Sequence, residues 1–218
     1  MRIIEPDFTR QIELPEVGPC ARPVDIDQSQ TGFSDLVSLR VYQFAQRMII
    51  HGEAEEDQLF IVLLRGTVDI DVAGGSNASF TLLADGGIGA VYLPPHDRYC
   101  LNARANADVA YARARPVNGK TRDARSFERV DGTLAVVGYA DSFSIASSVP
   151  AASEDRVLSQ LGNSTGERFV HIRTNNSDTL RVAGQDMHDW QTLALARNEP
   201  CHIERVRNYA AILVVAAT

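Results

Sequence analysis

Between residues 37 and 114 short apolar runs follow one another closely, each ending in turn residues, and this pattern constrains the fold most. The run at 67–75 alternates strictly, so Val68, Ile70 and Val72 are expected to face a core. Spacings of roughly 8–12 residues are typical of all-β barrels and sandwiches and argue against strand–helix–strand units. We therefore predict an all-β fold. The runs are VSLRVYQF (37–44), QLFIVLLRG (58–66), TVDIDVAGG (67–75), SFTLLADGG (79–87), GAVYLPP (89–95), YCLNARA (99–105) and DVAYARA (108–114).

The second half of the chain repeats this pattern of short apolar runs separated by turn residues. Both halves end with an apolar strand, a proline-containing turn that carries a histidine, and a last apolar strand, so two copies of one barrel unit are predicted. The polar stretch 115–128 is the expected connection, which divides the chain into residues 1–116 and 117–218. The second set of runs is TLAVVGY (133–139), FSIASSV (143–149), RFVHIRT (168–174), TLRVAG (179–184), WQTLALA (190–196) and YAAILVVAA (209–217).

Two further segments stand apart from the strand pattern. Residues 1–32 are predicted to form an N-terminal arm, with one or two short strands that cover a barrel edge. Residues 153–162 show the one moderate helical periodicity in the chain.

Charge and composition exclude several classes of function. A net charge of −7 without a basic stripe argues against nucleic-acid binding. No apolar stretch approaches the length of a membrane span, and the N-terminus lacks the apolar region of a signal peptide, so we expect a cytoplasmic protein. Cys20, Cys100 and Cys201 are widely spaced, which favours reduced thiols over a disulfide framework or a zinc knuckle.

The segment GAVYLPPHDRYCLN (89–102) resembles the second sequence motif of the cupins, with a glycine, a short apolar strand and a proline turn. His96 stands at the motif's second glycine position and Tyr99 at its metal-binding histidine. Upstream, Leu59 falls near the usual glutamate of the first motif, and His51 is the one histidine before it. The resemblance implies two tandem double-stranded β-helix barrels, jelly-roll-like in form, of which the first has no metal site.

More specifically, the chain resembles the family of 5-deoxyglucuronate isomerase and 5-keto-4-deoxyuronate isomerase. In that family the second barrel binds a divalent metal through His-x-His, a glutamate and a later histidine. SSVPAASED (147–155) resembles the segment of the two histidines, with Ala152 and Glu154 in their places. GERFVHIR (166–173) resembles the strand of the metal glutamate, with Glu167 within one residue of it or Arg168 in its place, and ARNEPCHIE (196–204) resembles the turn of the last ligand, at His202.

The resemblance implies a metal site made of Glu154, Glu167 and His202. One imidazole with two carboxylates suits Zn, Mn, Ni or Fe. In an isomerase the ion polarises a carbonyl while a base moves a proton between neighbouring carbons, which makes Glu167 and His202 the candidate catalytic residues. The alternative is that these three side chains belong to a degenerate site that binds no metal.

Four further residues are candidates for substrate binding. Arg98 and Tyr99 follow the proline turn at the mouth of the first barrel, where a guanidinium could bind a sugar carboxylate bidentately. His171 and Arg173 share one face of their strand with Glu167 and could line a pocket. The expected ligand is a small sugar acid.

Two interpretations of function remain open at this stage. The first is a cupin isomerase that interconverts the aldose and ketose forms of a deoxyuronate or a similar hydroxy-carboxylate, as in inositol or uronate catabolism. The second is a non-catalytic two-barrel cupin without metal that acts as a binding, regulatory or structural module, which the residues at Leu59, Tyr99 and Ala152 favour. Pairing of edge strands into a homodimer is compatible with both.

Overall fold

The computed structural model describes residues 1–75, 77–116, 122–140, 143–148, 165–174, 180–204 and 209–217 and confirms an all-β protein. One helix, α1 (Gln28–Thr31), accompanies the strands in this part of the chain. No helix among these residues is long and apolar enough to cross a membrane. The strands are β1 (Arg2–Ile4), β2 (Gln11–Leu14), β3 (Gly18–Asp27), β4 (Leu36–Phe44), β5 (Ile49–Glu53), β6 (Gln58–Arg65), β7 (Thr67–Ala73), β8 (Ala78–Leu83), β9 (Gly87–Leu93), β10 (Arg98–Ala103), β11 (Ala107–Ala114), β12 (Arg125–Arg129), β13 (Thr133–Ala140), β14 (Phe143–Ser148), β15 (Glu167–Thr174), β16 (Leu180–Val182), β17 (Gln185–Met187), β18 (Thr192–Leu195), β19 (Ile203–Glu204) and β20 (Tyr209–Ala217).

The chain forms two compact units. We call Asp7–Asp27 with Val37–Arg129 the N-terminal barrel. Met1–Pro6, Gln28–Leu36 and Val130–Thr218 make up the C-terminal barrel.

The N-terminal barrel has an apolar core between two antiparallel sheets. One sheet runs β12-β9-β6-β11-β4-β3-β2 and the other runs β5-β10-β7-β8. The alternation predicted for 67–75 is confirmed, because Val68, Ile70 and Val72 are buried in this core while Asp71 is exposed. Such alternation fixes which side of β7 faces the opposite sheet.

The C-terminal barrel is also built from two antiparallel sheets. A six-stranded sheet runs β1-β18-β15-β20-β14-β13, and a smaller one runs β17-β16-β19. Val170, Val214 and Val182 come from both sheets and share one apolar core. At one edge of the six-stranded sheet, β1 pairs with β18 through Ile3 and its neighbours.

Some elements differ from the sequence prediction. The connection predicted at 115–128 contains β12, which pairs with β9. The strand β3 carries Pro19 and Pro23, residues that normally argue against a strand; the β3–β4 register shifts between Ala21 and Val24, and prolines are tolerated at such irregularities. Residues 28–36 belong to the C-terminal barrel and 125–129 to the N-terminal one. The helix predicted at 153–162 lies outside the described residues.

Candidate functional site

The two faces of β15 determine which side chains can reach the interior of the C-terminal barrel. Residues paired across an antiparallel sheet point to the same side. Arg168 pairs with Ala216 and Leu195, and both belong to the core. Glu167 pairs with Ala217, on the opposite face. The barrel interior therefore receives a guanidinium at the place where the resemblance puts a metal-binding carboxylate.

Glu167 is held by a dense set of hydrogen bonds on its own face. Its carboxylate accepts from the Ser34 backbone N–H (2.7 Å) and hydroxyl (3.0 Å), from the Asp35 N–H (2.8 Å) and from the Leu36 N–H (3.0 Å). Burial acts to raise the pKa of Glu167, but these donors outweigh burial and lower it. The carboxylate ties residues 34–36 to β15, and its lone pairs are already in use.

Arg168 is the largest fully buried side chain among the described residues. Its Nη2 donates a hydrogen bond to the backbone carbonyl of Glu199. Burial lowers the pKa of its guanidinium, while Cys201 and Glu199 act in the opposite direction. Because an arginine stays protonated even when it is buried, the site carries a fixed positive charge.

Of the other two metal candidates, His202 alone lies within the described residues. His202 is exposed and lies between Cys201 and Ile203, which contact the core. Glu154 lies outside the described residues. Within the ranges that the structure covers, no group of three or more His, Cys, Asp or Glu side chains could hold a metal ion. The described donor set therefore does not fit the divalent ion that the resemblance implies.

His171 and Arg173 come together around one aromatic ring. The Arg173 guanidinium lies 3.7 Å from the centroid of the Trp190 ring and pairs with Asp189 at 3.1 Å. The His171 ring lies 6.0 Å from the same ring, and its Nδ1 is 3.0 Å from the Thr192 hydroxyl. Burial, assisted by the charge of Arg173, lowers the pKa of His171 to about 3, so this imidazole is neutral at physiological pH. Whether the pair binds a substrate stays a prediction.

Arg98 and Tyr99 point to opposite sides of β10. Arg98 is exposed and lies 3.5 Å from Glu53. Tyr99 faces the core of the N-terminal barrel, where its ring packs 5.9 Å from that of Tyr111 and burial raises its pKa to about 12. A phenol ring thus fills the position where the cupin motif has a metal-binding histidine. The structure does not bring the two predicted substrate-binding residues together.

The sequence pattern named Arg168 as an alternative to Glu167 at the metal glutamate, but it did not predict that Arg168 is buried. The signal was present in the run RFVHIRT, whose alternation places Arg168 on one face with Val170 and Ile172. What the run could not show is which face meets the barrel interior, because both faces of β15 are buried.

No family model matches the chain, and no curated protein matches it in sequence. Solved structures do match its fold. An IolB-like protein from Salmonella typhimurium has a TM-score of 0.63 at 16% identity, covering 90% of this chain and 89% of that chain. A cupin 2 conserved barrel domain protein from Leptotrichia buccalis has a TM-score of 0.53 at 14% identity, covering 100% and 98%.

The bacterial pirin YhhW from Escherichia coli, in complex with nickel(II), has a TM-score of 0.61 at 11% identity and covers 99% of both chains. Together with the sheet topology, these similarities define the fold as that of the cupins, in the two-barrel form.

Proposed function

We propose that this chain is a non-catalytic two-barrel cupin, a binding module that works without a metal in its second barrel. The observation that carries the proposal is the buried guanidinium of Arg168 on the interior face of β15. The fold of a metalloprotein is kept, but a fixed positive charge replaces a carboxylate that would have attracted a cation.

Electrostatics support the absence of a metal from the second barrel. A guanidinium and a divalent cation repel each other, and the repulsion is stronger inside a protein than in water because the effective dielectric constant is lower. Glu167 does not offset the charge of Arg168 on the interior side, since its carboxylate faces the other way and accepts four hydrogen bonds. A metal would have to overcome this repulsion without the carboxylate that the resemblance assigns to it.

The second candidate function is the isomerisation of a deoxyuronate between its aldose and ketose forms. It is supported by the similarity of fold to the IolB-like protein over 90% of this chain. The order of the segments at 147–155, 166–173 and 196–204 also agrees with that family. This function requires Glu154 and His202 to share an ion. Homodimer formation and a sugar-acid ligand stay predictions under both functions.

Elemental analysis separates the two candidates. The protein is purified without chelator, then analysed for Zn, Mn, Ni and Fe before and after soaking with each ion. His202→Ala is the test variant, and His188→Ala, which removes another exposed histidine, is the matched control. We expect no stoichiometric metal in any of the three proteins and no deoxyuronate isomerisation. Stoichiometric metal that His202→Ala loses and His188→Ala retains would contradict the proposal and establish the metal site.

A further inference from the structure

The N-terminal barrel has an open cavity of about 430 Å³ on its surface, away from the interior position of Tyr99. It lies where the turn between β2 and β3 meets the turn after β4 and the start of β5. Pockets of this size bind small molecules in many proteins. Its lining includes Glu16, Val17, Arg47, Met48, Ile49 and His51.

The segment that carries Arg47 is held in place by backbone and amide hydrogen bonds. The Arg47 N–H donates to the Ala103 carbonyl at 2.7 Å. The neighbouring Gln46 donates from its backbone N–H to Asn106 Oδ1 and from its side chain to the Arg104 carbonyl, both at 2.9 Å. The wall of the cavity is thus formed before any ligand arrives, which lowers the entropy cost of binding.

The Arg47 guanidinium makes no hydrogen bond or ion pair within the part of the chain that the structure describes. Other arginines of the same barrel are engaged: Arg104 pairs with Asp69, and Arg113 donates to two backbone carbonyls. Glu16 also lines the cavity, but it makes no ion pair with Arg47. An unpaired guanidinium in a preformed concavity is the group that a carboxylate or a phosphate would bind.

The rest of the lining narrows the class of ligand. Val17, Met48 and Ile49 offer apolar surface, and the Ile49 side chain is 48% exposed. We propose that this cavity binds a small organic carboxylate, with the carboxylate on Arg47 beside His51 and an apolar body on these three side chains. The proposal rests on the proposed function in that both make the protein a binding module. Inorganic phosphate fits less well, because it has no apolar part and its larger charge would face Glu16.

The backbone at Arg47 allows an unusually clean test. Its φ of 71° is left-handed, a region in which a side chain is disfavoured and glycine is not. Arg47→Gly therefore removes the guanidinium without straining the fold, so that lost binding cannot be blamed on unfolding. Arg181→Gln is the matched control, because it removes the same charge from an exposed hairpin of the other barrel.

The experiment is an NMR titration of the isotopically labelled full chain with 4-methylpentanoate, following the Ile49 methyl signals in every variant and the Arg47 Nε–H signal wherever the arginine is present. We expect chemical-shift changes that saturate. The affinity obtained from them should fall roughly tenfold to hundredfold in Arg47→Gly and stay unchanged in Arg181→Gln. Removing the nearby negative charge in Glu16→Gln should tighten binding about two- to threefold.

Three results would overturn the site: shifts that do not saturate, shifts of equal affinity in Arg47→Gly, or inorganic phosphate binding as well as the carboxylate. None of them bears on the metal measurement, because the residues of the cavity belong to the N-terminal barrel and His202 belongs to the other. A failure of this site and a failure of the proposed function are therefore distinguishable.

Discussion

At the scale of single residues, Glu167 shows how one carboxylate can be committed to structure. Three consecutive backbone N–H groups and one hydroxyl converge on it. An amide in its place keeps one acceptor oxygen and turns an NH₂ group toward donors. We expect Glu167→Gln to lower the free energy of unfolding by about 1–3 kcal/mol, because buried donors lose their partner. Chemical denaturation followed by circular dichroism measures this loss.

Glu13→Gln is the matched control for that change, because Glu13 is exposed on β2 of the other barrel. It should leave the denaturation midpoint nearly unchanged. Equal midpoints for Glu167→Gln and the wild type would show that the carboxylate does not hold residues 34–36. The Glu167 carboxylate would then be available to bind a ligand.

His171 makes a prediction about pH. Its Nε2 is buried without a hydrogen-bond partner among the residues that the structure places. Its pKa is about 3 in the folded protein, against an ordinary value of 6.5. The unfolded chain therefore takes up the proton first as the pH falls. Its stabilising contribution is complete above about pH 6.5 and is lost on acidification towards pH 3, at about 1.4 kcal/mol per pH unit.

Denaturation curves recorded across this range measure the effect. His171→Leu, which cannot take up a proton, should lose that part of the acid sensitivity. Thr192→Val is the control: it removes the hydroxyl that contacts His171 but keeps the imidazole, so it should retain the wild-type slope. Equal slopes for His171→Leu and the wild type would contradict a buried, neutral histidine.

At the scale of elements, the sequence predicts the bounds of the strands but not which way their side chains face. Alternation and turn residues locate β4, β6, β7 and β20 to within a residue or two, because these signals are local. The orientation of β15 is not local. Its side chains are buried on both faces, so only pairing with β18 and β20 shows that Arg168 faces the interior and Glu167 does not.

The same limit explains Arg98 and Tyr99. Their adjacency in the sequence suggests one binding site, but neighbours in a strand point to opposite faces. The cavity at Arg47 could not be predicted either, since it joins the turn at Glu16 to the start of β5, segments far apart in the sequence. The hydrophobic pattern of one segment does not reveal its contacts with distant segments.

The pairing of β5 with β10 leads to a prediction at this scale. Tyr99 stands opposite Gly52, and a Cβ added at Gly52 would lie 2.4 Å from the Tyr99 ring and its hydroxyl. The ring cannot simply move, because it is packed against Tyr111. Gly52→Ala should therefore lower the free energy of unfolding by about 1–3 kcal/mol.

A double-mutant cycle measures this contact. In a Tyr99→Leu background the ring is gone, so adding Gly52→Ala should cost much less than it does in the wild type. A cost that is the same in both backgrounds would show that the ring does not occupy the space beside Gly52.

At the scale of the whole molecule, both barrels have the cupin fold, and the positions that the resemblance assigns to metal ligands carry side chains of other chemistry. In the N-terminal barrel the ring of Tyr99 fills the place of a histidine. In the C-terminal barrel the charge of Arg168 takes the place of a carboxylate. Both side chains face a barrel core. We propose that the second barrel does not bind a divalent ion.

Paramagnetic NMR tests this claim most directly. The methyl-labelled protein is titrated with Mn²⁺, and the signals of Val170, Ile172 and Leu195 report on the core of the C-terminal barrel. An ion bound inside that barrel would broaden these signals at stoichiometric Mn²⁺. We expect these signals to keep their intensity, in the wild type as in His202→Ala. Selective broadening in the wild type that His202→Ala abolishes would contradict it and favour a metal-dependent isomerase.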